Sequence, residues 1–148
     1  MADLRGLYQE LILDHGRRPR NFGPLPEANR DAEGVNPLCG DQLHLHLKVE
    51  DGRIVDLRFD GHGCAISTAS ASLMTQALKG RTVAEAEALF DAFHALMTGT
   101  PAPDAAPLGK LEVLAGVREF PTRIKCATLA WHTLAAALHG GDETVSTE

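Results

Sequence analysis

Hydrophobic positions recur with two different periods along this chain, and the switches between them lay out its elements. Leu4, Leu7, Tyr8, Leu11 and Ile12 repeat at helical spacing and predict an amphipathic helix from about Asp3 to His15, ended by Gly16. Pro19, Gly23, Pro24, Pro26, Gly34 and Pro37 then predict irregular structure as far as Leu38, a length typical of functional loops. From Leu43 the period falls to two. Leu43, Leu45, Leu47 and Val49 take one face and His44, His46, Lys48 and Glu50 the other, the mark of a half-buried strand. Asp51-Gly52 predicts a tight hairpin turn, after which Val55, Leu57 and Phe59 alternate in a returning antiparallel strand. Gly61-His62-Gly63 breaks the pattern, and Cys64-Ala65-Ile66 reads as a third short strand or its exit.

Helical period then returns. Ser67 or Thr68 can cap a helix running to Lys79, with Gly80 beyond its end. Thr82 and Glu85 form a capping-box signature for a helix whose apolar stripe is Leu89, Phe90, Phe93, Leu96 and Met97, stopped by Gly99 and Pro101. The proline-rich run from Thr100 to Gly109 predicts a surface excursion rather than a domain boundary. A short helix around Leu108 to Ala115 follows, and Pro121 opens a last helix to Leu138, closed by Gly140-Gly141. Residues 1–141 are expected to form a single domain, with a disordered tail over 142–148.

Charge and composition narrow the function classes. Twenty acidic against fourteen basic side chains give a net charge of -6, which disfavours generic binding to nucleic acid or anionic membrane. The N-terminus lacks a signal-peptide pattern and no apolar run approaches membrane-spanning length, so a cytoplasmic protein is expected. Gly61-His62-Gly63 is too short for a phosphate-binding loop and leads into Cys64, which argues against nucleotide binding.

An odd count of three cysteines, scattered along the chain, suits metal or thiol chemistry better than structural disulfides. Each sits where the backbone changes character: Cys39 beside Gly40, Cys64 after Gly61-His62-Gly63, and Cys126 early in the last helix. Glycine admits close approach to an ion, and early-helix positions bring amide donors near sulfur. In an extended segment Cys39 and Asp41 project to the same side, so a thiolate and a carboxylate can reach one ion, and two further thiolates would complete a tetrahedron. Three soft sulfurs suit zinc or iron–sulfur iron, while the harder oxygen makes for an exchangeable site. Spacing alone leaves open the alternative of three separate buried cysteines. His44 and His46 share a strand face and are of ligating type, but alternation with leucines assigns that face to solvent. His62 is readable as a substitute ligand or as a simple turn residue, and Arg17, Arg18 and Arg20 as a docking knot or as solvated charge.

The local sequences decide more than the spacings. Asn36-Pro37-Leu38-Cys39-Gly40-Asp41, Gly61-His62-Gly63-Cys64-Ala65-Ile66-Ser67 and the closing Arg123-Ile124-Lys125-Cys126-Ala127-Thr128-Leu129-Ala130-Trp131 strongly resemble the IscU/NifU N-terminal family of iron–sulfur cluster assembly proteins. Tyr8 to His15 and Pro19-Arg20-Asn21-Phe22-Gly23 match it too, so nearly the whole chain is covered. Scaffolds of the IscU type carry histidine immediately before the third cysteine. Here Lys125 stands there, and the proline-rich insertion and Arg123 are features of the SufU branch.

The resemblance implies an α+β fold, a small three-stranded antiparallel sheet packed against several helices. It implies zinc held by Cys39, Asp41, Cys64 and Cys126, with Arg123, Lys125 and His62 flanking the ligands. Carried over by position, Cys39 accepts persulfide sulfur from a SufS-like cysteine desulfurase and Asp41 eases ligand exchange, with a Suf scaffold or apo-protein as the downstream recipient. The alternatives are a scaffold that builds a transient iron–sulfur cluster and a structural zinc domain. The lysine before Cys126 and the insertion favour sulfur acceptance over scaffolding, and the carboxylate ligand argues against a purely structural role.

Overall fold

The computed structural model describes residues 4–37, 40–99, 108–139 and 144–146. In chain order these form α1 (Leu4–Arg17), β1 (Arg30–Asn36), β2 (Asp41–Glu50), β3 (Arg53–His62), α2 (Ala65–Leu78) and α3 (Val83–Thr98). A 3-10 segment (Gly109–Glu119), α4 (Pro121–Leu138) and β4 (Thr144–Ser146) follow. The sheet order is β3-β2-β1-β4, with β2 antiparallel to both β1 and β3 and β4 parallel to β1. The fold is therefore α+β, with three antiparallel strands and helices against one face. Helix α4 lies on β1 and β2, α2 packs on β3 and α4, and α1 packs on α2.

The period-two leucines of β2 point into this layer: Leu43, Leu45 and Leu47 are buried, together with Leu57 and Phe59 of β3 and Leu73, Met74 and Trp131 from the helices. Trp131 stacks on Phe93 with ring centroids 4.8 Å apart. Each fully buried side chain of this size contributes about 1.5–3 kcal/mol relative to exposure, so the sheet-helix seam dominates stability. The capping box forms as the sequence predicts, Thr82 Oγ1 accepting from Glu85 N while a Glu85 carboxylate oxygen accepts from Thr82 N.

Several expectations need correction. The stretch read as irregular contains β1, whose inward residues are Ala32, Gly34 and Asn36. Its buried face carries almost no hydrophobic signal, because α4 approaches too closely to leave room. A Cβ on Gly34 would fall 2.1 Å from Thr133 Oγ1 and 3.0 Å from Leu129 Cδ1. The third antiparallel strand is this one, not Cys64–Ile66, which turns into α2 with Cys64 itself as the cap in place of Ser67 or Thr68. Helix α1 runs through Gly16 to Arg17.

In β3 the buried set is Ile54, Leu57 and Phe59, while Val55 faces out; an irregularity in the pairing at Lys48/Val49 shifts the register and flips the alternation. Within the tail expected to be disordered, Thr144–Ser146 pairs with β1. The proline-rich run 100–107 and Gly140-Gly141 lie outside the described residues. Of the basic knot, Arg18 and Arg20 turn back onto Asp14, at 2.5 and 2.6 Å. Their hydrogen bonds, Arg20's first, hold the Asp14 carboxyl down to about 2.

Candidate metal centre

Three elements remote in sequence meet at one end of the sheet. Strand β2 begins with Asp41, which is only 2% exposed although it carries a carboxylate. Its Cα partner across the ladder is Asn36, the last residue of β1 and fully buried. After β3, Gly63 leads to Cys64, whose sulfur accepts the Ser67 N–H at 3.4 Å and so caps α2. Cys126, fully buried, comes from the second turn of α4.

Hydrogen bonds bind these groups into one cluster. Asp41 Oδ1 accepts the Cys64 backbone N–H at 2.8 Å, and Asp41 Oδ2 accepts from Asn36 Nδ2 at 3.2 Å. Asn36 Nδ2 also lies 3.4 Å from Cys126 Sγ, and Cys64 Sγ stands 4.0 Å from Asp41 Oδ2. One potential ligand atom from each of Asp41, Cys64 and Cys126 lies within 4.8 Å of the others. Gly63 makes this approach possible. A Cβ there would fall 2.6 Å from Asp41 Oδ1 and fill the space the carboxylate occupies.

A buried carboxylate facing one buried and one partly exposed sulfur, with the buried Asn36 Oδ1 lacking a partner among the described residues, concentrates acceptors at the edge of the core. Such a group is expensive unless a cation or donors compensate it. The donor set, two soft sulfurs and one oxygen, is that of a borderline transition metal rather than of calcium or magnesium.

Of the residues singled out from sequence, Asp41, Cys64 and Cys126 are brought together, and Cys39 lies outside the described residues. Its flanks are described: Asn36 and Asp41, on either side of it in the chain, are paired across the β1–β2 ladder. His62, Arg123 and Lys125 are exposed rather than drawn into the buried cluster. One contributor, Asn36, and one role, that of Cys64 as a helix cap, escaped the sequence reading. Asn36 bridges Asp41 and Cys126, and its role becomes legible only once β1 is known to be a strand paired with Asp41. Cys64 as a helix cap was hidden because cysteine is not among the usual capping residues. An apolar hollow of about 630 Å³ opens beside Cys64, bordered by Ile12, Leu13, Ala65, Ile66, Phe120 and the exposed Arg123.

Comparison with known proteins shows the family and the fold. The NifU-like N-terminal domain family matches residues 7–139. The zinc-dependent sulfurtransferase SufU of Bacillus subtilis is 44% identical over 133 residues, 90% of each chain. The iron–sulfur cluster assembly scaffold protein IscU of Streptococcus pyogenes is 43% identical over 93% of this chain and 86% of its own. Among solved structures, one from Fervidobacterium islandicum, ascribed to an iron–sulfur cluster assembly scaffold of the SUF system, superposes with a TM-score of 0.83 at 34% identity, covering 90% of this chain and 98% of that one. The N-terminal part of a NifU-like protein from Brucella abortus superposes with a TM-score of 0.81 at 26% identity, covering 90% and 92%.

Proposed function

The chain belongs to the NifU-like N-terminal domain family of iron–sulfur cluster assembly, and on that premise we propose that it is a zinc-bound sulfur acceptor working with a cysteine desulfurase. The observation that carries the reading is the convergence of Asp41, Cys64 and Cys126 within 4.8 Å. Zinc with bonds of about 2.3 Å to sulfur and 2.0–2.2 Å to oxygen needs ligand atoms roughly 3.5–3.8 Å apart, so small side-chain adjustments suffice. Asp41, Cys64 and Cys126 would supply three ligands. Cys39, two residues before Asp41 in sequence and so within about 7 Å of it along the chain, would supply the fourth.

When bound, zinc keeps its cysteine ligands deprotonated and shielded from oxidation. The chain's own residues supply the rest. Asn36 and the Cys64 N–H hold the Asp41 carboxylate, and Asp41, the hard oxygen among sulfurs, would make the bound ion's ligand set more exchangeable and so leave Cys39 the more available for reaction. The released Cys39 thiolate attacks the outer sulfur of the desulfurase persulfide. A new S–S bond forms on Cys39 as the partner's S–S bond breaks, and the departing electron pair stays on the partner's thiolate. The step needs no outside oxidant or reductant.

Metal analysis combined with a desulfurase assay tests this reading. Zinc near one equivalent, with several-fold stimulation of cysteine turnover that Cys39→Ser abolishes, is expected. Asp41→Ala is expected to retain or tighten zinc while sulfur acceptance falls. A brown, iron-bearing protein that leaves turnover unchanged would favour the scaffold reading, to which the IscU relative lends its name, and overturn this one.

A further inference from the structure

Outside the buried cluster, a second group of ligating side chains lies on the opposite face of the sheet. Residues 44 and 46 alternate with the buried leucines of β2, so both imidazoles project away from the helices, with ring centroids 4.3 Å apart. The neighbouring strands each add a carboxylate. Asp31 of β1 sits opposite His46, and its Oδ1 lies 2.6 Å from His46 Nδ1 and 3.8 Å from His44 Nε2. Asp60 of β3 sits opposite His44, and its Oδ2 lies 2.7 Å from His46 Nε2. Asp31, His44 and His46 each bring a ligand atom within 4.8 Å of the others.

We propose that Asp31, His44 and His46 form a second, surface-accessible divalent metal site, with Asp60 as the residue that positions His46. Two imidazoles and one carboxylate suit zinc, nickel or copper(II), not magnesium or calcium. The pairing of His46 Nε2 with Asp60 is the arrangement that orients a metal-binding histidine: one ring nitrogen donates to a carboxylate, which fixes the tautomer and leaves Nδ1 to the ion. An ion between Nδ1 and Asp31 Oδ1 replaces the hydrogen bond now joining them. The site is open, His44 and Asp31 being about half exposed, so a cation enters from solvent and water completes its coordination.

The local field favours a cation. Asp31 and Glu33 from β1 and Asp60 from β3 flank the pair, against the guanidinium of Arg58, the ladder partner of His46, and the Lys48 ammonium, which is itself paired with Glu27 and Glu50. A proton is the competitor. Burial works against a charged His46 ring, but the hydrogen bonds to Asp60 and Asp31 outweigh it and raise its pKa. Metal binding should therefore weaken as pH falls. Asp41 and His44 lie on opposite faces of β2, so this site does not depend on the reading of the buried cluster.

Nickel(II) tests the proposal, because it is paramagnetic and reports its own position. Titration of the purified full chain, followed by calorimetry and by NMR of the imidazole rings, should show saturable binding that broadens the His44 and His46 signals first. His44→Gln changes a half-exposed residue and should weaken this binding about tenfold or more; Asp60→Asn should weaken it about 10- to 100-fold through loss of ring orientation. No saturable binding, unchanged affinity in His44→Gln, or broadening that spares both rings would overturn it.

Discussion

Replacing Gly63 with alanine should damage the buried cluster without substituting any candidate ligand. The added methyl would lie 2.6 Å from Asp41 Oδ1 and 3.2 Å from Asp41 Cβ and Cγ, about 0.8 Å short of ordinary contact at the oxygen. The carboxylate cannot retreat freely, since its two oxygens are held by Cys64 N–H at 2.8 Å and Asn36 Nδ2 at 3.2 Å. If the backbone shifts instead, the cost is that of overpacking, about 1–3 kcal/mol. If the carboxylate swings away, Cys64 N–H is left buried and unbonded at about 1–3 kcal/mol. Either route predicts a loss near 2 kcal/mol, or roughly 4–8 °C in Tm for a chain of this size.

A double-mutant cycle with Asp41→Ala assigns the loss. With the carboxylate gone the methyl enters vacated space, and the cost of Gly63→Ala should shrink to a few tenths of a kcal/mol, a coupling of at least about 1 kcal/mol. Urea unfolding of the four proteins, all stripped of metal with a chelator so that differences in metal affinity do not enter, measures it. Equal losses from Gly63→Ala in both backgrounds would refute the close approach of Gly63 to Asp41.

Two further predictions follow from the same packing. Gly34→Ala should cost about 1–3 kcal/mol by forcing β1 away from α4, and Thr133→Ala, which removes the oxygen 2.1 Å from the new Cβ, should recover part of it; strictly additive losses in urea unfolding would contradict the interlock. His15, buried and 2.7 Å from Ser72 Oγ, has its pKa lowered from 6.5, first by burial and then by the Arg20 charge. Protonation therefore favours the unfolded chain: the stability this histidine contributes is complete above about pH 6.5 and is lost as pH falls through that value toward its lower folded pKa. His15→Gln should flatten the stability–pH curve in that window, and an unchanged slope would assign it elsewhere.

Periodicity alone made much of this molecule legible. The leucines of β2, the Asp51-Gly52 turn, the Thr82–Glu85 box and the helix opened by Pro121 are local signals whose structure follows from neighbours in the chain. Strand β1 was not legible, because its inward residues are Ala32, Gly34 and Asn36 and the reason for their small size is a helix about a hundred residues later. The same holds for the flip of β3, where Val55 is the extra residue left without a ladder partner between Lys48↔Asp56 and Val49↔Ile54.

For the site the division is sharper. Residue type, flanking glycines and motif resemblance singled out Cys39, Asp41, Cys64 and Cys126 as candidate ligands from the sequence, since ligand chemistry is a property of side chains. Only the tertiary structure decided that Asn36 joins them, that Cys64 caps a helix, and that His44 and His46 meet carboxylates from two other strands. Distances between residues far apart in the chain are set by how sheet and helices pack, and no local pattern encodes them.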